Sequence, residues 1–342
     1  DNFNTLLIAT KETADYISNI KNMRPILINF ILEERDKMNG TKMLEKFQKE
    51  YEPFVAQADI IFDDTFEHQW SSHNLRFKAI KGHSLGSCCI FLDEGIIFTG
   101  DSLSAADILT ELYFEQMDIN KDNVNTIDRD RFVLSKGHAS PVLYATLAEK
   151  GFVDIEDLKG FRHIDSKLQG HPNMNYVSGV DMSTGSLGQG ISCAVGMAIT
   201  NKVDGNNHRI YALLGDGECE EGEVWEAAMA ASHYKLDNLC AILDYNHLQI
   251  DGNIEDVISP EPFKSKFEAF GWRVIEANGH DFNSLRTAFN FAKQTVDKPT
   301  IIIAHTIKGK GVSFMENNYA WHGAAPNQEQ YEQAMKELGG LE

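Results

Sequence analysis

Four apolar runs constrain the fold of the C-terminal part most: "RIYALLGDG" (209–217), "NLCAILDYN" (238–246), "WRVIEAN" (272–278) and "PTIIIAHTI" (299–307). Helical patterns lie between them, "EVWEAAMAASHYK" (223–235) and "FNSLRTAFNFAKQ" (282–294). Continuously apolar strands that alternate with helices specify a parallel sheet with helices on both faces, an α/β fold. Just upstream, "SAADILTELYFEQM" sets Ala105, Ile108, Leu109, Leu112 and Tyr113 on one helical face, with Ser104 as the N-cap.

The first hundred residues follow a different pattern. "TLLIA" (5–9), "ADIIFDD" (58–64), "NLRFKAI" (74–80), "CCIFL" (88–92) and "GIIFTG" (95–100) read as strands, the last two joined by a "DEG" turn. Helices are expected over 11–20, begun by Thr10, and over about 42–50. At 342 residues the chain has room for two domains, and the change of pattern places them at 1–102 and 103–342. The joint carries no Pro, Gly or Ser spacer.

Composition narrows the function. With 42% hydrophobic and 24% charged residues the chain is globular. A net charge of −20 argues against nucleic acid or an anionic membrane as partner. A small anion remains compatible, because a nest of backbone N–H groups holds phosphate even in an acidic protein. Neither a run of transmembrane length nor a signal peptide is visible. The five cysteines show no C-x-x-C spacing and read as free thiols in a reducing cytoplasm.

Most of the chemistry lies between 183 and 252. An apolar strand ends in Gly215-Asp216-Gly217, and the next strand ends thirty positions on at Asn246. Ligands of open parallel sheets sit at such carboxyl ends. The glycines admit close backbone approach, and Asp216 and Asn246 offer hard oxygens to one crevice. Mg2+ takes such oxygens together with phosphates and water, so the pair reads as a metal-bridged diphosphate site. A plain tight turn at GDG is the bland alternative; the linked Asn246 and the following "QIDG" count against it.

These residues resemble the thiamine-diphosphate motif. With "RDRFVLSKGHASPVLYATLAEKGF" (129–152), "GHP" (170–172), "STGSLGQG" (183–190) and "WHGAAP" (321–326), residues from about 102 to 342 look like the N-terminal subunit of a split transketolase. The resemblance implies thiamine diphosphate and Mg2+ (or Ca2+ or Mn2+) as cofactors and ketol transfer between sugar phosphates in the cytoplasm. It implies a partner, the C-terminal transketolase subunit, in a hetero-oligomer such as a dimer of heterodimers. It makes Asp216, Asn246 and the Leu248 carbonyl the metal ligands. Gly185, Leu187, Gly215, Gly217 and Ile250 become cofactor contacts. His138, His171 and His322 line diphosphate and sugar, and Glu221 joins a carboxylate network across the interface between subunits. Imidazoles beside a diphosphate and a polyol suit proton transfer near neutral pH. Glu218, Glu220 and Glu223 read as a solvated helix start, favoured there by the helix dipole. His68, His73, His163, His208, His233, His247, His280 and His305 read as structural or solvated.

The stretch "GHSLGSCCIFLDEGIIFTGD" (82–101) resembles the metallo-β-lactamase superfamily, so that residues 1–102 look like an incomplete α/β/β/α metal-hydrolase segment. His83 and Asp101, 101 − 83 = 18 positions apart, match a His ligand and a metal-bridging carboxylate. The H-x-H-x-D-H motif of that family is absent, and two ligands do not hold a catalytic zinc. At the junction the chain reads Gly100-Asp101-Ser102-Leu103 where the transketolase loop has Gly-Gly-Ser-Leu, which places a carboxylate near the expected diphosphate and sugar path. Two rival readings share these residues. One is another thiamine enzyme, such as a deoxyxylulose-phosphate synthase; the other is a non-catalytic cofactor-binding fusion.

Overall fold

The computed structural model describes residues 8–10, 60–62, 65–70, 73–79, 88–92, 100–322 and 324–339. The chain divides into two compact units, Asp1–Gly95 with Gly339–Glu342, and Ile96–Leu338. The division falls at 95/96, ahead of the 102/103 junction expected from the sequence, because the helix carrying Asp101 belongs wholly to the second unit.

In the first unit β1 (Ile8–Thr10) pairs in parallel with β2 (Ile60–Phe62). Strands β3 (Thr65–Trp70), β4 (His73–Ala79) and β5 (Cys88–Leu92) form an antiparallel sheet in that order. Strand β3 has no counterpart in the sequence reading, because "TFEHQW" lacks an apolar run. The helices expected over 11–20 and 42–50, the "DEG" turn and His83 lie outside the described residues.

The second unit is built on a five-stranded, wholly parallel sheet. Its strands are β6 (Arg131–Leu134), β7 (Ile210–Gly215), β8 (Leu239–Tyr245), β11 (Arg273–Asn278) and β12 (Thr300–His305), in spatial order β11-β12-β8-β7-β6. A two-residue ribbon, β9 (Leu248–Gln249) with β10 (Gly252–Asn253), follows β8. The helices are α1 (Gly100–Glu111), α2 (Ser140–Glu149), α3 (Gln189–Val203), α4 (Gly222–His233), α5 (Ile254–Val257), α6 (Phe263–Ala269), α7 (Phe282–Lys293) and α8 (Gln328–Glu337).

Side chains along each central strand alternate between two cores, as the pleat requires. Phe132, Leu134, Tyr211, Leu213, Cys240, Ile242, Ile302 and Ala304 face one core, which α1, α2 and α7 complete. Val133, Ile210, Ala212, Leu214, Leu239, Ala241, Leu243, Ile301 and Ile303 face the other, which α3, α4 and α6 complete. Both faces are therefore covered, and this is why the strands read as unbroken apolar runs. Ile108, Leu109 and Leu112 are fully buried, each contributing about 1.5–3 kcal/mol through that burial.

Two local expectations are corrected. Gly100 is helical rather than the end of a strand, and Ser104 lies inside α1 rather than at its N-cap. The helix starts a turn earlier, with Asp101 and Ser102 buried in its first turn and the Asp101 carboxylate at the end that favours negative charge. The Ser104 hydroxyl instead donates to Asp244 Oδ2 at 2.6 Å. Among the described residues no helix is long and apolar enough to cross a membrane.

Candidate active site

Parallel pairing aligns the carboxyl ends of the central strands. Gly215 sits opposite Asp244, and Tyr245 opposite His305, so the residues that follow β7, β8 and β12 open onto one edge. Asp216 leaves β7 into a 3-10 turn, Gly217–Glu220, and its Oδ1 accepts the Gly217 N–H at 2.8 Å. Its Oδ2 accepts from Asn246 N at 2.9 Å and His247 N at 2.5 Å. Asp216 thereby ties the two strand ends together. His247 adopts φ +66°, a left-handed turn that lets Leu248 N donate to Asn246 Oδ1 at 3.1 Å. Asp216, Asn246 and Leu248 are thus gathered at one place and buried.

Burial, then the neighbouring Asp244, pushes the Asp216 carboxyl up to about 7. Asp244 goes the other way. Burial would raise it, but Lys136 at 2.5 Å, Ser104 and Thr306 hold it below its ordinary value. Lys136 is accordingly raised: burial lowers it, and Asp244 and Asp101 more than reverse that. So the buried lysine serves Asp244, and among the described residues Asp216 has backbone donors but no direct cation. A divalent ion suits that carboxylate. Asp216 and Asn246 offer a carboxylate and an amide oxygen here, the hard-oxygen chemistry that a divalent ion takes.

Glu218 ties three segments together beside Asp216. It is buried, and its carboxylate accepts from Ser135 Oγ at 2.5 Å, Gly188 N at 2.9 Å and Gly215 N at 3.0 Å. This corrects the solvated reading of Glu218: the 3-10 turn after Asp216 directs this one acid inward. Glu220 and Glu223 are only partly buried, and Glu220 accepts from Gln249 Nε2 at 2.7 Å. Glycines permit the close approaches. A Cβ at Gly137 would stand 2.8 Å from both Gly185 N and Thr184 Oγ1, and one at Gly185 (φ +145°) would meet the His171 ring at 3.0 Å. The buried Thr184 Oγ1 has no hydrogen-bond partner among the described residues.

The histidines divide. His138 and His322 lie together, ring centroids 4.8 Å apart and planes tilted by 35°. Burial lowers the His138 imidazole, opposed by Asp101, so it is neutral at neutral pH. His171 is exposed beside Gly185. Glu221 is exposed next to Gly188, whose Cβ would meet it at 2.9 Å, and Leu187 is half-buried. Ile250 is 62% exposed on the β9–β10 ribbon. Glu221, His171 and Ile250 are surface groups in this chain.

Asp101 does not end a hairpin as a metal-bridging carboxylate of the first unit. It is 2% exposed in α1, and its Oδ1 accepts from Lys308 Nζ at 2.5 Å, with Lys136 Nζ 3.6 Å away. His138 Nε2 lies 3.7 Å from Oδ1, and His322 Nδ1 lies 2.9 Å from Oδ2. Sequence reading missed Lys136, Lys308 and Asp244. Lys136 was inside the quoted "SKGHAS", and Lys308 follows a strand end in "TIKGKG". A charged residue just beyond an apolar strand of a parallel sheet was the available signal.

Comparison with known proteins agrees with this geometry. The family profile described as "Transketolase, thiamine diphosphate binding domain" matches residues 96–341. The chain is 46% identical over 239 residues to an apulose-4-phosphate transketolase subunit of Phocaeicola vulgatus, covering 70% of this chain and 85% of that one. It is 44% identical over 244 residues to the 6-deoxy-6-sulfo-D-fructose transketolase subunit SqwG of a Clostridium species, covering 71% and 89%. The solved transketolase of Campylobacter jejuni superposes with a TM-score of 0.65 at 34% identity, covering 71% of this chain and 42% of that one. The chain therefore spans less than half of that longer protein. On the profile match and on relatives of this identity and coverage, the chain belongs to the transketolase family, with the thiamine diphosphate binding domain in residues 96–341.

Proposed function

We propose that this chain is the cofactor-binding subunit of a two-subunit transketolase, moving a two-carbon ketol unit between sugar phosphates together with a C-terminal subunit. The observation that carries this reading is the buried Asp216, tied to both strand ends and without a direct cation among the described residues. Two relatives that are themselves named as transketolase subunits support the partner. Asp216, Asn246 and the Leu248 carbonyl would hold Mg2+. The backbones of Gly185, Leu187, Gly215 and Gly217 would receive the diphosphate, and Ile250 would wall the rings. Thiamine diphosphate, when bound, supplies the electron sink for the transferred unit.

The rest falls to the chain's own groups. His138 and His322 lie together, and their ring nitrogens can pass protons to a hydroxyl or phosphoryl oxygen bound beside them. His171 and Glu221 sit on the surface beside Gly185 and Gly188, where a partner subunit would bury them. The metallo-β-lactamase likeness of the residues before 96 supports no hydrolytic reaction, because Asp101 is engaged by two lysines in the second unit.

The test is calorimetric titration of thiamine diphosphate with Mg2+ into the wild-type chain and Asp216→Ala, with and without a C-terminal subunit. Asp216→Ala removes a charged ligand rather than a packing group and should abolish Mg2+-dependent binding. Unchanged affinity in that variant sinks the site. Ketol transfer should need the partner; turnover of xylulose 5-phosphate and ribose 5-phosphate by the chain alone would refute the two-subunit reading.

A further inference from the structure

The Asp101 pocket holds more charge than packing explains. Lys136 and Lys308 are both fully buried, and they face two buried carboxylates, Asp101 and Asp244. Asp244 is already satisfied by Lys136, Ser104 and Thr306. Lys308 has Asp101 as its carboxylate partner, and its aliphatic stem passes so close to Gly100 that a Cβ there would stand 2.9 Å from Cγ. Four formal charges cancel in pairs. Without the Asp101 side chain the pocket would carry one unbalanced positive charge, beside two imidazoles.

The geometry around His322 is frustrated. Its Nδ1 lies 3.2 Å from the Lys308 ammonium and 2.9 Å from Asp101 Oδ2. One ring nitrogen can accept from the lysine or donate to the carboxylate, not both at once. Oδ2 accordingly makes no aligned hydrogen bond although it is buried. Asp101, His138 and His322 place three ligand atoms within 4.8 Å, an arrangement that by spacing alone would suit a cation. Two ammonium groups against the same carboxylate oppose that. An anion with several acceptor oxygens, standing in place of the Asp101 carboxylate, would serve Lys308 and both imidazoles together.

We propose that the Asp101 carboxylate is a built-in counter-anion: it occupies the Lys308–His138–His322 pocket in the ligand-free chain, an incoming phosphoryl oxygen must displace it, and it therefore sets the affinity for a diphosphate-bearing cofactor. The inference rests on the cofactor reading above. Asp101 is a positioning residue that governs affinity, with no part in the chemical step. Its removal by Gly frees the two imidazoles and Lys308. Its replacement by Asn keeps the shape and removes the charge.

The experiment titrates inorganic pyrophosphate and, separately, thiamine diphosphate, each with Mg2+, into the full chain as wild type, Asp101→Gly and Asp101→Asn. Lys308→Met is added in the wild-type and Asp101→Gly backgrounds, and circular dichroism confirms the fold of each variant. Removing a buried like charge should tighten pyrophosphate binding about ten- to a hundred-fold in both Asp101 variants. Lys308→Met should cost at least about tenfold in Asp101→Gly, where the lysine is open to the anion, and no less in wild type, where it also leaves the Asp101 carboxylate uncompensated. If wild type binds thiamine diphosphate and both folded Asp101 variants bind both anions equally or more weakly, this inference is overturned and the cofactor reading stands. If thiamine diphosphate binds no variant while pyrophosphate tightens as stated, the cofactor reading fails and the counter-anion stands. Stoichiometric zinc in wild type, lost in Asp101→Asn, would overturn the inference in favour of a cation site.

Discussion

Lys136→Met tests the buried charge network that supports the site. Lys136 and Asp244 are both fully buried and 2.5 Å apart. Methionine fills much of the lysine volume but leaves Asp244 with only the Ser104 and Thr306 hydroxyls. Removing one partner of a buried pair costs about 3–5 kcal/mol, because the remaining charge is uncompensated. Changing Asp244→Asn as well removes that charge, so the double variant should lie only about 1–2 kcal/mol below wild type, the cost of weakened hydrogen bonds. Urea unfolding, followed by the fluorescence of Trp225 and Trp272 in the second unit, measures all four corners of the cycle. The pH dependence has a fixed sign. Asp244 is lowered in the fold, so its contribution is complete above its ordinary 3.8 and is lost as pH falls through its folded value. Lys136 is raised, so its contribution is complete below its ordinary 10.5 and is lost as pH rises through its folded value. Between those limits the gap between wild type and Lys136→Met should be flat. A loss under about 1 kcal/mol, or a double variant as unstable as the sum of the singles, would refute the reasoning.

Gly137→Ala should destabilise the second unit by about 1–3 kcal/mol and weaken thiamine diphosphate binding, since its Cβ would press on Gly185 N and Thr184 Oγ1; wild-type affinity by calorimetry would show that the loops have room to part. Buried Cys219 and Cys240 should resist thiol reagents in the native protein, because burial raises both thiols, Cys240 to about 12. Mass mapping of labelled peptides checks this, and labelling of either before unfolding would contradict the packing.

The sequence by itself determined the parallel sheet. Strands such as Ile210–Gly215 and residues 301–304 of β12 carry no charged side chain because both pleat faces meet helices, and that demand is written residue by residue. It also determined that Asp216 and Asn246 share an edge, since consecutive strand ends of one sheet must be neighbours when the strands pair, as β7 and β8 do. The family was legible because its motifs are short strings of particular residues in a set order along the chain, readable without their contacts.

Only the tertiary structure decided the charge network. Asp101 and Lys308 are 207 positions apart, and nothing local links them. They meet because the sheet order sets β12 beside β8, so the loop after β12 and the start of α1 converge above Asp244. Glu218, Glu220 and Glu223 are alike in a string of letters, and the 3-10 turn alone turns Glu218 inward to Gly188 and Ser135. Asp101 shows the limit most plainly. In the sequence it completed a metal-hydrolase pattern with His83; in the fold it is a buried partner of two lysines, because burial demands a countercharge and the sheet supplies one from far along the chain.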